Sequence, residues 1–252
     1  MGDAEGQLLE PVWVRIGGGM ELVPGGRRHG PADPALPPPG GLDQALRLDG
    51  RLVGWAERSD PALARRAALL GQSLGRERRS HLVGRLDHKL RSALLSLQES
   101  ARAAAFGRPD QLEVVYDLAQ EAGRRAAGLS AAAMDPKDSP RGVVLAMVLR
   151  LAAREAVQEV PADAIVWACE PVLVEALGRI HEWMGGPGTR FQLEALPGWV
   201  RMLVTPAPER APLPVPELGE PLVRLLVDMH LGGWLDSQGP GPVSVYLPAM
   251  EP

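Results

Sequence analysis

The feature that most constrains this chain is a proline-free stretch between Pro61 and Pro109, opened by a ready-made helix start. Ser59-Asp60-Pro61 supplies a capping side chain and a proline whose missing N–H costs nothing in a first helical turn. Apolar residues then recur at helical spacing, at Leu63, Ala67, Leu70 and Leu74, and again at Leu82, Leu86, Leu90, Leu94, Leu97 and Ala101. Gly71, Gly75 and Gly84 each weaken such a helix by about 1 kcal/mol relative to alanine, so partners must hold it. Phe106-Gly107-Arg108-Pro109-Asp110 reads as a stop, a turn and a restart. Beyond it Leu112, Val115, Ala119, Ala122, Ala126 and Leu129 follow a heptad seam, which predicts an antiparallel helical hairpin over residues 59–134. Two helices cannot bury stripes this long by themselves. A homodimer, with two hairpins forming a four-helix bundle, is the simplest way to cover them.

The flanks read differently. Residues 1–58 are rich in Gly and Pro but hold short β-like runs: Val12–Ile16, then Ala45–Leu48 and Leu52–Trp55 around the hairpin signal Asp49-Gly50. Pro24 to Gly41 reads as a loop. After a linker at 135–140, residues 140–252 alternate helix and strand. Helices are expected over 143–153, 171–184 and 220–230. Strands are expected near 156–160, 164–168, 190–195, 199–205, 233–236 and 242–247, with a proline-rich loop at 206–216. The fold class is therefore mainly α with α+β: a dimeric hairpin, an α/β sandwich with helices on one face of its sheet, and a small β-containing N-terminal segment.

Composition narrows the function. Aromatic residues are 4% of the 252, so cores must be built from Leu, Val and Ala, which suits helices. A net charge of −4 gives no reason to expect nucleic acid as a partner. Cys169 is the single cysteine, so neither a disulfide framework nor a CxxC metal site is available, and no other metal-ligand cluster stands out. No signal peptide and no run of about 18 apolar residues is visible, so a cytoplasmic protein without a membrane span is expected. The motifs of serine hydrolases, zinc proteases and P-loop enzymes are missing.

Three segments carry a family resemblance, in order and covering roughly residues 80 to 248. "LVGRLDHKLRSALLSLQESARAA" resembles the H-box of two-component histidine kinases, with His88, Leu90, Arg91, Ser92 and Leu94 in register. "PADAIVWACEPVLVEALGRIHEWMGGPGTRFQLEA" resembles the strand and helix that carry the N-box of a GHKL-type ATP-binding domain. "GEPLVRLLVDMHLGGWLDSQGPGPVSVYLP" is similar to the end of that domain. "LRLDGRLVGWAERSDPALARRAALLGQSLGRERR" looks like the end of a GAF- or PAS-type sensory domain running into a signalling helix, so residues 1–58 read as a truncated sensory-like segment; a small β-ornament on the helices is the other reading.

The resemblance implies His88 as phosphoacceptor, since imidazole is nucleophilic near neutral pH. It implies Ser92 as a water-positioning hydroxyl. The acidic neighbour that assists attack on ATP in the family is here Lys89, with Asp87 on the other side, and Ala93 stands where proline is usual. His81 lies one heptad earlier and can share the face, whereas His29, His181 and His230 read as structural or solvated.

The nucleotide boxes have decayed. Arg179 and Trp183 stand at the two usual Asn positions, and the adenine box falls at Thr205-Pro206-Ala207-Pro208-Glu209. The later glycine box is reduced to Gly219-Glu220-Pro221-Leu222, while Gly185-Gly186-Pro187-Gly188 reads as a plain helix-to-strand turn. No nucleotide cofactor and no metal are therefore expected. The expected function is phosphotransfer with, or docking of, a response regulator, without ATP-dependent autophosphorylation. The alternatives are a pseudokinase scaffold for a partner kinase or regulator, and an active kinase with an atypical nucleotide site.

Overall fold

The computed structural model describes residues 10–30, 37–106, 108, 110–134, 139–159, 164–210, 213–237 and 241–250. The chain begins as a five-stranded sheet: β1 (Val12–Ile16), β2 (Gly19–Val23), β3 (Arg28–His29), β4 (Gln44–Leu48) and β5 (Arg51–Ala56), in the order β3-β2-β1-β5-β4 with every pairing antiparallel. At the β4–β5 turn Asp49 and Gly50 both take positive φ, 50° and 78°, which matches the right-handed twist of the two strands. Sequence reading missed β2, and it placed β3 inside a loop. That loop carries only a two-residue strand, Arg28-His29, which pairs with Met20 and Glu21; residues 31–36 of it lie outside the described residues.

Helix α1 runs from Pro61 to Ala105, about 67 Å at 1.5 Å per residue. The Asp60 side chain caps it, accepting from the N–H groups of Ala62 at 2.7 Å and Leu63 at 3.3 Å. Its first third packs Leu63, Ala64, Ala67, Leu70 and Leu74 against Val12, Val14 and Ile16 of the sheet. Two of its glycines are explained by this packing. A Cβ at Gly71 would run into the carbonyl oxygen of Arg15, and one at Gly75 into the Met229 side chain. Gly84 has open space around it.

Helix α2 (Gln111–Ala133) returns along α1 as an antiparallel hairpin. The Arg79 guanidinium donates to the terminal carbonyls of Ala132 (3.2 Å) and Ala133 (3.0 Å), a cation on the negative end of the helix dipole.

The rest is an α+β sandwich built from β6 (Arg141–Val144), α3 (Leu145–Ala152), β7 (Val157–Glu159), β8 (Ile165–Ala168), α4 (Glu170–Trp183), β9 (Arg190–Leu196), β10 (Trp199–Thr205), α5 (Glu220–Arg224), β11 (Trp234–Ser237) and β12 (Val243–Pro248). The sheet order is β11-β12-β10-β9-β7, antiparallel except for β7 on β9. Its inner face, Phe191, Met202, Val204, Val243 and Val245, packs on Leu173, Leu177 and Ile180 of α4.

Two expected helices change here. The one expected over 143–153 loses its start to β6, because β-branched Val143 and Val144 pair with Val166 and Ile165 of β8. The one expected over 220–230 is α-helical only to Arg224 and continues as a π-helical turn over Leu225–His230.

The N-terminal sheet, the hairpin and the sandwich are tied together by three buried carboxylates. Glu21 of β2 pairs with Arg78 of α1. Asp228 of the π turn pairs with Arg28 of β3, and Glu217, in a 3-10 turn at Pro216–Leu218, pairs with Lys89 of α1. Each unit thus holds the other two. Arg28 also lies over the Trp234 ring at 4.2 Å, and the Gly18 N–H donates to the Gly233 carbonyl at 2.8 Å.

Candidate phosphoacceptor site

On α1 the residues Leu82, Leu86 and Ala93 are buried, and His88 falls two residues, or about 200°, away from Leu86. His88 is accordingly exposed. It lines an open groove of about 490 Å³ together with Glu77, His81, Arg85 and Lys89, so His81 does share its face. The imidazole of His81 stands 3.7 Å from Glu77.

The neighbours of His88 are all engaged elsewhere. Asp87 forms an i,i+4 pair with Arg91 at 3.0 Å, which holds its carboxylate away from the imidazole. The Ser92 hydroxyl donates back to the His88 carbonyl at 3.1 Å, the usual rest position of a serine inside a helix. Lys89 reaches across to Glu217. Burial works to raise the Glu217 carboxyl, but Lys89, a backbone hydrogen bond and Arg125 outweigh it and hold it below the ordinary carboxylate value. Arg125 of α2 is itself buried and bonded to Glu121 at 3.1 Å.

Sequence reading did not find the Glu217 contact, because Glu217 falls between the proline-rich loop at 206–216 and the helix expected over 220–230, where no periodic pattern assigns it a partner. One signal was available: Lys89 is one of two lysines among 27 basic residues, and it sits at a position where the resemblance expects an acid.

The positions aligned with nucleotide ligands do not fit ATP and its magnesium. The Arg179 guanidinium is spent on Glu175 at 2.8 Å and Glu182 at 3.0 Å. Trp183 is buried in the core, packed against Gly219, with Arg210 5.7 Å from its ring. Thr205 ends β10 opposite Arg190 and offers no carboxylate to an adenine amine. A hard cation needs oxygen ligands, and neither Arg179 nor Trp183 supplies one. Among the described residues no group of three or more His, Cys, Asp or Glu side chains could hold a metal ion. The 185–188 segment forms the expected turn, with positive φ at Gly185, Gly186 and Gly188.

The remaining histidines have other surroundings. His29 makes an edge contact with Trp13 at 6.2 Å. Burial pulls the His181 imidazole below its ordinary value, against a backbone hydrogen bond with Gly186 and the charges of Glu155 and Glu182.

A long two-helix hairpin followed by an α+β sandwich is a histidine-kinase-like arrangement, and the solved structures bear out the fold. The kinase chain of histidine kinase ThkA in complex with response regulator protein TrrA superposes with a TM-score of 0.50 at 16% identity, over 96% of this chain and 79% of that one. Two further matches are weaker. Histidine kinase AdeS of Acinetobacter baumannii gives a TM-score of 0.44 at 11% identity, over 65% of this chain and 98% of that one. A bacterial phosphotransferase gives 0.34 at 14% identity, over 67% and 94%. No family model and no curated protein matches the sequence. No described helix is long and apolar enough to cross a membrane.

Proposed function

We propose that this protein is a two-component signalling protein of the histidine-kinase lineage that exchanges a phosphoryl group with a response regulator at His88, without ATP. Residues 1–58 are then a truncated sensory-like segment, 59–134 the dimerisation and phosphoacceptor hairpin, and 140–252 a degenerate ATP-binding-like domain. One observation carries the reading: His88 is exposed on a grooved helix face, while the aligned nucleotide positions are filled by Trp183 and by an Arg179 already neutralised. An acyl phosphate on the regulator's aspartate needs no nucleotide. A lone pair on the imidazole forms the N–P bond as the acyl P–O bond breaks, and the aspartate leaves as a carboxylate.

A homodimer belongs to this reading. Leu94, Leu95, Phe106, Leu112 and Tyr116 are exposed on the far part of the hairpin, where a second copy would complete a four-helix bundle.

The occupied neighbours of His88 favour a second reading, a scaffold that docks a regulator or partner kinase without chemistry. Asp87, Lys89 and Ser92 all spend their polar groups away from the ring. One experiment separates the two. Incubation with a phosphorylated response regulator should place acid-labile label on the protein and none on His88→Ala. Absence of label from every cognate regulator leaves the scaffold, and measurable Mg-ATP binding restores an active kinase with an atypical site.

A further inference from the structure

A second cavity, of about 420 Å³, lies between α1 and the α5–π segment, within the size range of small-molecule sites. Leu74 and Leu82 line it from α1; Pro221, Leu225 and Met229 line it from the other side. These apolar walls face one another without closing, so each forgoes the dispersion contacts that an occupant would restore. Its far wall includes the π-helical turn, which holds Asp228 and Met229. Such turns are rare and concentrate at functional sites.

The charges at this cavity are unevenly matched. Arg78 is paired with Glu21, and Arg224 with Glu220 at 2.7 Å. Asp228 is held by Arg28 and by the Leu235 N–H at 2.9 Å, while Glu77 faces His81. Arg85 is exposed on the rim and has no ion pair or hydrogen bond among the described residues. An apolar slot beside a cation without a partner is the recognition pattern for an apolar body carrying one acid group. We propose that this cavity binds a small amphiphile with a single negative charge, its apolar part between the α1 and α5–π walls and its acid group on Arg85.

Asp228 supports the assignment, because burial pushes its carboxyl up to about 6 against the pull of Arg28, the Leu235 N–H and Arg78. Strongly shifted carboxyls beside a cavity gather at binding sites. An occupant here bridges the hairpin and the sandwich beside the Arg28–Asp228 tie to the N-terminal sheet, where it would bias all three units at once. The site goes beyond phosphotransfer at His88 and its binding does not require it, although Glu77, His81 and Arg85 line both this cavity and the groove beside His88.

Calorimetric titration of the full chain with octanoate tests the proposal, with octylamine as a probe of equal length and opposite charge. Octanoate should bind saturably at one per chain and raise the melting temperature, and octylamine should not. Replacing one charge-assisted contact typically weakens binding about tenfold, so Arg85→Gln should cost octanoate about that much, while Arg85→Lys retains most of it. Three results would overturn the proposal: no saturable octanoate binding, equal uptake of octylamine, or unchanged octanoate affinity in Arg85→Gln. No regulator or phosphoryl donor is present, so none of these results bears on His88.

Discussion

The two ends of α1 are the same helix in two different states of completion. Its first thirty residues are covered on the inner face by the N-terminal sheet and the sandwich, with Leu86 fully buried and Gly71 and Gly75 set against Arg15 and Met229. Beyond Ala93 the covering thins, and Leu94, which continues the apolar spacing of Leu82, Leu86 and Leu90, is 48% exposed. The contrast shows that hydrophobic periodicity marks which residues seek burial, without saying which partner provides it. One chain supplies the partner for the first part and leaves the second part to something else.

The largest expected effect contrasts two leucines. Leu86→Ala should cost about 2–5 kcal/mol in urea unfolding, the usual cost of a core cavity. Leu94→Ala should stay within about 0.5 kcal/mol of the parent at concentrations where the chain is monomeric. If the far end is covered by a second copy, Leu94→Glu lowers the dimer fraction in light scattering and leaves the monomer fold intact. Equal costs for the two alanine variants would erase the distinction between the ends.

The next effect concerns the tie between the first part of α1 and its surroundings. The folded-state value of Asp228 is raised from 3.8 to about 6, so the folded chain binds more protons than the unfolded one between those values. The stability from this group is therefore fully present below the unfolded value and is lost as pH rises through about 6. Two units correspond to roughly 3 kcal/mol. Arg28, Arg78 and Arg224 surround the carboxylate, with Glu77 and His81 across the cavity. Unfolding curves from pH 8 to pH 5 should show roughly 1 kcal/mol of that gain, the remainder lying at lower pH, and Asp228→Asn should flatten it. A gain unaltered by that substitution would assign the pH dependence to another group.

The smallest effects come from two glycines. Gly71→Ala gains helix propensity but drives a Cβ into the Arg15 carbonyl, and should destabilise by about 1–3 kcal/mol net. Gly84→Ala meets nothing within 4 Å and should stabilise by about 0.5–1 kcal/mol. The same sign for both in thermal melts would mean that the helix is not pressed against the sheet.

Much of the architecture was legible from local rules. The Asp60-Pro61 start, the Asp49-Gly50 turn and the strands at 190–196 and 199–205 each follow from a capping, turn or alternation pattern confined to a few neighbouring residues. The second half of the strand at 141–144 falls inside the helix expected over 143–153, because Val143 and Val144 are apolar at a spacing that both structures tolerate, and only pairing with β8 decides between them. His88 and Ser92 were legible as residues, but not their surroundings.

By itself the sequence determined the helical hairpin and the alternation of helices and strands that builds the α+β sandwich, since each follows from patterns of neighbouring residues along the chain. Tertiary structure alone decided what Lys89, Glu217, Arg28 and Asp228 do. Their partners lie 128 and 200 residues away, and charge pairing has no period that a linear pattern could register. It also decided that Gly71 and Gly75 are points of close approach, while Gly84, which looks the same in sequence, faces open space.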